Sequence, residues 1–508
     1  MVAEPMIEIA DVTWRYAGAD TPTLAGLNLR IEQGETVVLC GASGSGKSTA
    51  LRLVNGLIPH FHRGTLEGIV RLDGEPIAEQ RLDVIGRQTG TVLQHPRRQF
   101  FTDSVDTELA FASENFGAPP QLIRARVAAA RTEHRLTDLT GRRLFELSGG
   151  QQQQVAFAAA TVHRPAVVVL DEPTANLSAA AVEQFIARIA ELRAAGVTLV
   201  IAEHRLHRLA DQADRIILLR DGRVTTEWSG ADFARLPEKV WTAEGLRRDL
   251  PATRVLPRVF GHGPSVEPAR RSPRQKNPAG GSEPSRGLTL HEIRCTRKGR
   301  PVLDIADAHF PAATVTAVTG PNGAGKSTLA HVLTGLQRHS GVITLDGRRL
   351  SRRRRLADAA LVMQDVQRQL FADSVAAELR LWTDESAAGR TDPSGAPSES
   401  TSHPLLRALG LAGLDDRHPL ALSGGQQQRL VVAGTRLIGR RIVVFDEPSS
   451  GVDARHLASI TDVLRGLATD GAVVILISHD DELVTRAADL ELRLRSLPDP
   501  VGTEQPRG

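Results

Sequence analysis

The sequence predicts two copies of an α/β domain, each built on a doubly wound, mostly parallel sheet, and three observations support this. First, a set of motifs occurs twice in the same order: Lys326 follows Lys47 by 279 positions, which is the size of a domain rather than of a solenoid repeat. Second, the strands Val167–Leu170 and Thr198–Ala202 are apolar on both faces, as in a parallel sheet covered by helices. Third, helical patterns alternate with such strands, which favours the α/β class.

The elements of the first half follow one another in a regular order. The strand Thr36–Cys40 leads into a glycine-rich loop, and an amphipathic helix begins at about Ser48. A helix-rich stretch follows over Val105–Arg135. Ser148 then opens another helix, which ends before Pro165, and the two apolar strands come next. The second half repeats this order, so we expect the same fold in both halves.

The domain boundaries follow from composition. We expect a first domain over residues 1–250 and a second over 287–497, because each range carries one set of motifs. Residues 251–286 are rich in proline, glycine and arginine, which predicts a flexible linker. Within the second domain, the low-complexity insertion 384–402 is expected to be a disordered surface loop. The tail 498–508 is too short to form a domain.

Composition excludes several function classes. The chain has 508 residues, 41% hydrophobic and 24% charged, which is ordinary for a globular protein of two or three domains. No apolar run approaches the roughly 18 residues of a membrane span, and no secretory signal is recognisable, so any membrane role is expected to act through a partner. Cys40 and Cys295 lie in different halves, which predicts no disulfide and fits a reducing compartment.

The distribution of basic residues argues against a nucleic-acid platform. The formal net charge is only +3, and the basic stretches are Arg352–Arg355 and the linker. Neither stretch is interleaved with aromatic residues, which make up 4% of the chain, whereas single-stranded nucleic acid is bound by stacking on aromatic rings. We therefore expect these arginines to form solvated surface.

Two glycine-rich loops, GASGSGKST and GPNGAGKST, predict phosphate binding. Glycines let successive backbone N–H groups turn towards phosphate oxygens, and the helix that follows adds the positive end of its dipole. The lysine places a charge at the β- and γ-phosphates, and the serine offers a hydroxyl to Mg²⁺. A chance match is disfavoured because each loop lies between an apolar strand and a helix. The predicted ATP-binding residues here are Gly41, Ser43, Gly44, Gly46, Lys47, Ser48 and Thr49, and Gly320, Asn322, Gly323, Gly325, Lys326, Ser327 and Thr328.

An aspartate–glutamate pair ends a buried strand in each half, where ligands of open α/β sheets gather. Asp171 and Asp446 are predicted to hold Mg²⁺ through water. Glu172 and Glu447 are predicted to polarise the attacking water as general bases. An isolated pair of this kind often only caps the next turn, but here each pair is accompanied by its own phosphate loop.

The motif LSGGQ also occurs twice, and it places exposed backbone N–H groups at a helix start that can bind phosphate. Each half already has a phosphate loop, so a head-to-tail pair of halves with ATP between them is plausible. In these motifs the sequence resembles the ATP-binding cassette (ABC) family over both halves nearly end to end. The resemblance implies the sandwich geometry, and in each half a P-loop NTPase fold with a helical subdomain and a small antiparallel β subdomain. The motif residues assigned to ATP are Ser148, Gly149, Gly150 and Gln151, and Ser423, Gly424, Gly425 and Gln426.

The resemblance assigns further residues. Gln94 and Gln364 match the glutamine that reaches Mg²⁺ and couples to the partner. His204 and His479 match the switch histidine near the γ-phosphate, and each follows an apolar strand about thirty residues after the acidic pair. Tyr16 matches the aromatic residue that stacks on adenine. The resulting Mg²⁺ set is Ser48, Gln94, Asp171, Ser327, Gln364 and Asp446.

Two positions depart from the family pattern. The second half has Arg297 where the first has Tyr16, and arginine stacks on a ring more loosely. The first half has Ser178 where the second has Asp453, which in the family reaches across to the opposite phosphate loop. Both departures would line the site built on Lys326. We therefore expect that composite site to be the weaker of the two.

The segments after the key glutamines, Gln94–Gly117 and Gln364–Leu379, look like ATPase subunits of energy-coupling factor (ECF) vitamin importers. The sequence IAEHRL around His204 is also typical of fused, two-cassette ATPases of that kind. The resemblance implies a groove that receives coupling helices from a membrane partner. Alternatively, Gln99–Phe101 and Gln369–Phe371 are merely core-facing turns.

The predicted function is an ATP-hydrolysing, energy-coupling subunit of a membrane importer, with ATP and Mg²⁺ as cofactors. Its partners would be a transmembrane coupling subunit and a substrate-binding membrane subunit, its location the cytoplasmic face of the membrane, and both ATP sites would form within one chain. No nucleic acid is expected. One alternative is a twin-cassette protein acting on ribosomes or nucleic acid, although such proteins typically have a charged helical linker and LSGGE-like signatures. Another is a sugar or peptide importer. The transported substrate is not encoded in ATPase subunits.

Overall fold

The computed structural model describes residues 4–94, 96–174, 177, 179–247, 255–267, 286–297, 299–321, 323–363, 366–387, 406–407, 410–422, 424–449 and 452–497. The chain divides into two compact units, Met1–Asp249 with Gly451–Ala454, and Leu250–Ser450 with Arg455–Gly508. Several predicted features lie outside the described residues. They are Ser178, Asn322, Gln364, Ser423, most of the linker 251–286, most of the insertion 384–402 and the tail 498–508.

The first unit contains ten strands and ten α-helices among its described residues. The strands are β1 (Ile7–Tyr16), β2 (Leu24–Ile31), β3 (Thr36–Cys40), β4 (Gly64–Leu72), β5 (Glu75–Pro76), β6 (Thr89–Val92), β7 (Val167–Asp171), β8 (Thr198–Ala202), β9 (Arg215–Arg220) and β10 (Arg223–Ser229). The helices are α1 (Lys47–Val54), α2 (Leu57–His60), α3 (Leu82–Gln88), α4 (Val105–Asn115), α5 (Pro120–Glu133), α6 (Gly149–Thr161), α7 (Ala179–Ala194), α8 (His207–Ala210), α9 (Gly230–Ala234) and α10 (Glu238–Ala243). Short 3-10 turns cover Pro96–Arg98, Thr137–Leu139 and Leu144–Glu146.

Two sheets form the body of this unit. The larger has the order β10-β9-β3-β8-β7-β6 and is parallel except for β10 at its edge. Its central strands β3 and β8 are buried along their whole length, which explains their apolar sequences. The smaller sheet is antiparallel, with the order β2-β1-β4-β5. The candidate site residues lie where β3 leads into α1 and at the end of β7. Their positions are therefore fixed by the buried strands of the larger sheet.

A third part of this unit is helical and has its own core. Residues from α4, α5 and α6 bury a separate apolar cluster that includes Val105, Leu109, Val127, Val155 and Ala158. In sequence, this cluster begins in α4, after Gln94, and extends through the signature helix α6. The helical subdomain and the antiparallel β subdomain implied by the family resemblance are thus both present in the first unit.

The second unit repeats this architecture. Its strands are β11 (Gly261–His262), β12 (Gly287–Arg297), β13 (Arg300–Pro311), β14 (Thr314–Thr319), β15 (Ser340–Leu345), β16 (Arg348–Arg349), β17 (Ala359–Val362), β18 (Ile442–Asp446), β19 (Val473–Ile477) and β20 (Leu490–Arg493). Its described helices are α11 (Lys326–Leu333), α12 (Arg352–Asp358), α13 (Val375–Ala387), α14 (Gly424–Ile438), α15 (Ala454–Thr469) and α16 (Asp481–Ala487), with 3-10 turns at Val366–Gln369 and Pro419–Ala421. One sheet is parallel, with the order β17-β18-β19-β14-β20, and the other is antiparallel, with the order β11-β13-β12-β15-β16.

The expected flexible linker is wrong for residues 255–267. Strand β11 extends the antiparallel sheet by pairing with β13, and the N–H of Val259 donates to the carbonyl of Glu491 at 2.9 Å. Val259 and Val266 are buried in the core of the second unit. Burial of these two valines and pairing at a free sheet edge outweigh the proline- and glycine-rich composition of the segment.

Three other expectations are refined by the structure. Arg352–Arg355 is not all solvated surface, because Arg355 is buried and its guanidinium donates to the carbonyl of Leu350 at 3.2 Å. The first residues of the predicted disordered insertion, 384–387, belong to α13. The two cysteines are free, and both are buried. Among the described residues, the helices are all too short or too polar to span a bilayer.

Candidate active site: phosphate loops and switch segments

The phosphate loops require glycine at their first position in both units. Gly41 and Gly320 have φ values of 138° and 140°, in the region that side chains rarely adopt. A Cβ on Gly41 would lie 2.2 Å from the carbonyl oxygen of Leu219, and one on Gly320 would lie 2.3 Å from that of Leu494. Close approach of the neighbouring strand therefore fixes where each loop leaves its sheet.

The loop lysines occupy equivalent positions. The ammonium of Lys47 donates to the carbonyl oxygens of the first two loop residues at 2.9 and 3.0 Å, and that of Lys326 does the same at 2.8 and 3.0 Å. Burial lowers the pKa of both lysines, although nearby carboxylates oppose the shift. Each charge lies inside its loop at the start of a helix, where a nucleotide phosphate would bind.

The residues predicted to hold magnesium meet in pairs. The hydroxyl of Ser48 donates to Asp171 Oδ1 at 3.0 Å, and the hydroxyl of Ser327 donates to Asp446. Burial raises the pKa of Asp171 to about 6, with repulsion from Glu172 adding to it, and burial also raises the pKa of Asp446. Paired hydroxyl and carboxylate oxygens beside a phosphate loop fit Mg²⁺, which would supply positive charge to the carboxylate and the phosphates.

The catalytic candidate of the first unit, Glu172, lies in a network of side chains. Gln94 Nε2 donates to Glu172 Oε2 at 2.8 Å, and His204 Nε2 lies 3.3 Å from Glu172 Oε1. Burial raises the pKa of Glu172, but attraction to His204 and Lys47 and the hydrogen bond from Gln94 outweigh it and leave the pKa lowered. The backbone of Glu172 has a φ of 45°, a sparsely populated conformation that often marks functional residues.

Glu447 has the same backbone conformation, with a φ of 54°, but other contacts. The ring nitrogen Nε2 of His479 lies 3.9 Å from Glu447 Oε1. The backbone N–H of His479 donates to both carboxylate oxygens, at 3.1 and 3.2 Å. The hydroxyl of Ser478 also donates to Glu447, at 3.3 Å. The glutamates of the two units are thus bonded differently, while Gln364 lies outside the described residues.

Tyr16 is half-buried near the end of α1. Its hydroxyl lies 3.3 Å from Thr49 Oγ1 and accepts a hydrogen bond from Arg52 at 2.8 Å, and its ring meets that of His62 edge to face. These contacts fix the ring, and stacking on adenine stays a prediction. Arg52 and His62 were not predicted, because the sequence carries no motif around them. Arg297 is exposed at the end of β12.

The first signature motif forms a capping box at the start of α6. Ser148 Oγ accepts from the N–H of Gln151 at 3.3 Å, and Gln151 Oε1 accepts from the N–H of Ser148 at 3.0 Å. A Cβ on Gly149 would meet nothing within 4 Å, so the helix start is open. In the second unit α14 begins at Gly424, and Gly425 is buried while Gln426 is half-buried.

The first phosphate loop has one more partner, which was predicted from the family pattern. Asp453 belongs by its contacts to the first unit, and its Oδ2 accepts from the N–H of Ser43 at 2.9 Å. Asp453 is also buried, and its charge raises the pKa of Lys47, though less than burial lowers it. Its counterpart in the first half, Ser178, lies outside the described residues.

One residue of the site was missed by the sequence reasoning. Glu203, which is 2% exposed, accepts four hydrogen bonds. Oε1 accepts from the N–H groups of His204 and Arg205 at 2.8 and 3.2 Å, and Oε2 accepts from the N–H and hydroxyl of Thr174 at 3.2 and 2.7 Å. The signal in the sequence is the mismatch between the halves, because Ser478 stands at the position of Glu203.

Comparison with known proteins identifies the family. A family model described as ABC transporter matches residues 24–175 and 303–450. The "Putative ABC transporter ATP-binding protein" of Treponema denticola is 37% identical over 482 residues, which cover 94% of this chain and 93% of the relative. The "Putative HMP/thiamine import ATP-binding protein YkoD" of Bacillus subtilis is 29% identical over 511 residues, which cover 97% of this chain and 90% of the relative.

A solved structure has the same overall fold class. The structure described as "RNase-L Inhibitor" has a TM-score of 0.59 and 19% identity, and the match covers 96% of this chain and 90% of that one. At this identity the likeness concerns the fold alone. We refer to residues 4–247 as the first cassette and to residues 286–497 as the second. The chain belongs to the ABC transporter family and carries two ATP-binding cassettes, which implies ATP hydrolysis.

Proposed function

We propose that the chain is the energy-coupling ATPase of an ECF-type membrane importer for a vitamin or another micronutrient. The observation that carries this proposal is a pair of exposed phenylalanines, one in each cassette. Phe101 is 74% exposed and Phe371 is 77% exposed, and each follows the glutamine segment of its cassette. Exposed aromatic side chains at equivalent places of two cassettes suit a partner that contacts both.

Each phenylalanine is held at the surface by a buried carboxylate. Glu108 Oε2 accepts from the N–H of Phe101 at 3.1 Å, and Glu378 Oε2 accepts from the N–H of Phe371 at 2.9 Å. Glu108 and Glu378 are 4% and 1% exposed. A rigid turn that presents an apolar side chain reduces the ordering cost of binding, so these turns are suited to docking.

The glutamines of the same turns point inward instead. Gln99 Oε1 accepts from the N–H of Leu93 at 2.8 Å, and Gln369 Oε1 accepts from the N–H of Met363 at 2.7 Å. The core-facing alternative therefore describes Gln99 and Gln369, and also Phe100 and Leu370. It does not describe the exposed rings of Phe101 and Phe371. The two side chains of each turn have different roles. The glutamine stabilises the turn, and the phenylalanine contacts the partner.

A second apolar side chain extends each surface. The ring of Phe101 stacks on that of Phe111 in α4, with centroids 4.9 Å apart. In the second cassette Leu381 of α13 is at the position of Phe111 and is 48% exposed. A pair of apolar residues from a loop and a helix is suited to the apolar face of an amphipathic helix, which is how a coupling helix would dock.

The proposed cycle uses the site residues in the roles predicted for them. ATP, with Mg²⁺ at Ser48–Asp171 and Ser327–Asp446, would bind between the phosphate loop of one cassette and the signature motif of the other. Glu172 and Glu447 would take a proton from the attacking water, with His204 and His479 near the γ-phosphate. Different affinity of ATP and ADP for the two states of the cassettes would drive the membrane partner.

The membrane partners proposed are a transmembrane coupling subunit and a substrate-binding membrane subunit, with the ATPase at the cytoplasmic face. The name of the Bacillus subtilis relative, which refers to HMP/thiamine import, supports a vitamin as the transported molecule. A sugar or peptide importer would use the same chemistry and differ in its partner. No contact described above favours a ribosome-acting protein.

The test is affinity purification of the tagged chain from detergent-solubilised membranes of its own host, with identification of the co-purified subunits and any retained small molecule. We expect a multispanning membrane protein to co-purify with the wild type. The double variant F101A/F371A should retain less than about a tenth of it, as expected for loss of two central apolar contacts. Phe260→Ala is the matched control, since Phe260 is 65% exposed but lies outside these turns.

Two results would overturn the proposal. One is salt-sensitive association with ribosomes and no membrane protein in the purified fraction. The other is equal recovery of the membrane partner with F101A/F371A and with the wild type. If the retained small molecule is a sugar or a peptide, the importer class is different but the docking surface stands.

A further inference from the structure

The segments that carry the switch histidines are built differently in the two cassettes. In the first, His204 is preceded by the buried carboxylate of Glu203, and in the second, His479 is preceded by Ser478. The residue two positions after the acidic pair's glutamate also differs between the two cassettes. Thr174, two residues after Glu172, donates its hydroxyl to Glu203 at 2.7 Å. At the corresponding place of the second cassette, the buried hydroxyl of Ser449 has no hydrogen-bond partner within the described part of the chain.

We propose that Glu203 is a positioning residue for ATP hydrolysis in the first cassette. Because Glu203 accepts the backbone N–H of His204, the carboxylate of Glu172 is contacted by the side chains of Gln94 and His204. The proposal rests on the ATPase activity and not on the identity of the membrane partner. Glu203 does not touch Glu172 in any contact described above. It acts through the backbone on both sides of the site.

The geometry explains how Glu203 acts. One of its oxygens accepts from the backbone N–H groups of His204 and Arg205, and the other accepts from Thr174. One buried carboxylate thereby joins the loop after Glu172 to the loop that carries the switch histidine. Four hydrogen bonds to one buried side chain hold the two loops at a fixed distance from each other.

The consequence is visible at the catalytic glutamate. Because the N–H of His204 is bonded to Glu203, the oxygens of Glu172 receive Gln94 Nε2 at 2.8 Å and His204 Nε2 at 3.3 Å. Both of these donors are side chains, which can rotate away when a water molecule and a phosphate arrive. The carboxylate of Glu172 is therefore accessible to accept a proton without a change in the backbone.

The second cassette shows what happens without such a residue. The backbone N–H of His479 donates to Glu447 itself, at 3.1 and 3.2 Å, and the hydroxyl of Ser478 donates to Glu447 at 3.3 Å. The histidine ring lies farther away, with Nε2 at 3.9 Å. The donor at Glu447 belongs to the backbone and cannot rotate away, whereas the donors at Glu172 belong to side chains.

The test compares Glu203→Ser with the wild-type chain in steady-state ATP hydrolysis, without any membrane partner. We expect kcat to fall about tenfold, as for loss of a group that orients a general base, while the KM for ATP stays within about twofold because the Lys47 loop is unchanged. Glu203→Gln keeps the size of the side chain but replaces one acceptor by a donor, so its kcat should lie between the two. In the second cassette, S449T/S478E should raise the kcat of an E172Q chain several-fold.

Asp214→Ser is the control for a purely structural effect. Asp214 accepts from the N–H of Thr36 at 2.9 Å and pairs with Arg193, at the edge of the same cassette and away from the switch segment. We expect Asp214→Ser to lower Tm as much as Glu203→Ser does and to leave kcat unchanged. The double variant E172Q/E203S should be no slower than E172Q alone, because both changes remove the same function.

The proposal is overturned if Glu203→Ser retains kcat within twofold of the wild type. It is also overturned if the KM for ATP and kcat change together, as for loss of nucleotide binding, or if Asp214→Ser lowers kcat equally. These results would leave the importer proposal untouched, since that is read from the proteins recovered with the chain. Conversely, failure to recover a membrane partner would not alter the expected change in kcat.

Discussion

The phosphate loops of the two cassettes are nearly identical, whereas the segments around the candidate catalytic residues Glu172 and Glu447 are not. Lys47 and Lys326 donate to equivalent loop carbonyls at distances that agree within 0.1 Å for each pair. Glu172 and Glu447 share a left-handed backbone. Among the described residues, the side chains of Gln94 and His204 contact the carboxylate of Glu172, whereas a backbone N–H and a serine hydroxyl donate to that of Glu447.

This difference distinguishes nucleotide binding from ATP hydrolysis, two functions that depend on the same site. Loop geometry is fixed by close backbone contacts and glycines, so most changes there would abolish nucleotide binding. The donors around the glutamate influence only how readily it accepts a proton, so the two copies could diverge there without losing ATP. We infer that both cassettes bind ATP and that they hydrolyse it unequally.

The largest effect is expected from removing each glutamate in turn. Glu172→Gln should lower the ATPase activity of the chain at least tenfold, since it removes the general base from the cassette in which that base is accessible. Glu447→Gln should lower it less than about threefold, because the site built on Lys326 contributes less. Steady-state phosphate release at saturating ATP measures both.

Equal losses for the two variants would remove the functional asymmetry, whatever the contacts of the two glutamates. A larger loss for Glu447→Gln would reverse it. ATP binding, measured by equilibrium dialysis, is the control, because both variants keep the phosphate loops and should retain nucleotide.

Parts of the fold and of the candidate site could be predicted from the sequence alone. The phosphate loops could be predicted residue by residue, because glycine and lysine at fixed spacing are demanded by backbone geometry and charge. The parallel strands could be predicted too, because β3 and β8 are buried on both faces and are nearly all apolar. The switch histidines were found only through family resemblance, since a histidine after a strand has many ordinary explanations.

The features that escaped prediction depend on long-range contacts. Glu203 lies next to a predicted residue, yet its partner Thr174 is 29 positions earlier, and no local pattern connects them. The segment 255–267 was expected to be flexible because of its prolines and glycines. Val259 and Val266 are nevertheless buried in the core of the second unit, which the local sequence does not indicate. Only comparison of the two halves could have drawn attention to Glu203, through Ser478.

The two aspartates predicted to hold Mg²⁺ test whether the two cassettes are alike. Burial raises the pKa of Asp171 from its ordinary value of 3.8 to about 6, so the stability of the nucleotide-free chain falls as the pH rises from about 4 to about 6. Asp171→Asn removes this cost and keeps an acceptor for Ser48. At pH 7.5 we expect a gain of about 3 kcal/mol, seen as a Tm several degrees higher, and no gain at pH 4.

Asp446→Asn should change Tm in the same direction, since burial raises the pKa of Asp446 as well. In the presence of Mg²⁺ and ATP both gains should disappear, because the wild-type carboxylates then have a cation. A fall in Tm with either variant in the absence of nucleotide would mean that the carboxylate contributes more through its contacts than burial costs it.

The smallest effect is expected from exchanging Tyr16 and Arg297, the residues predicted to lie near the adenine. Tyr16→Arg should weaken ATP binding about threefold, because a guanidinium stacks on a ring more loosely than a phenol does, and Arg297→Tyr should strengthen it by a similar factor. Titration with a fluorescent ATP analogue measures both. Tyr16→Phe is the control, since it keeps the ring and loses only the contacts of the hydroxyl with Thr49 and Arg52. If Tyr16→Phe weakens binding as much as Tyr16→Arg, the hydroxyl contacts and not the ring determine the affinity, and Arg297 no longer marks the weaker site.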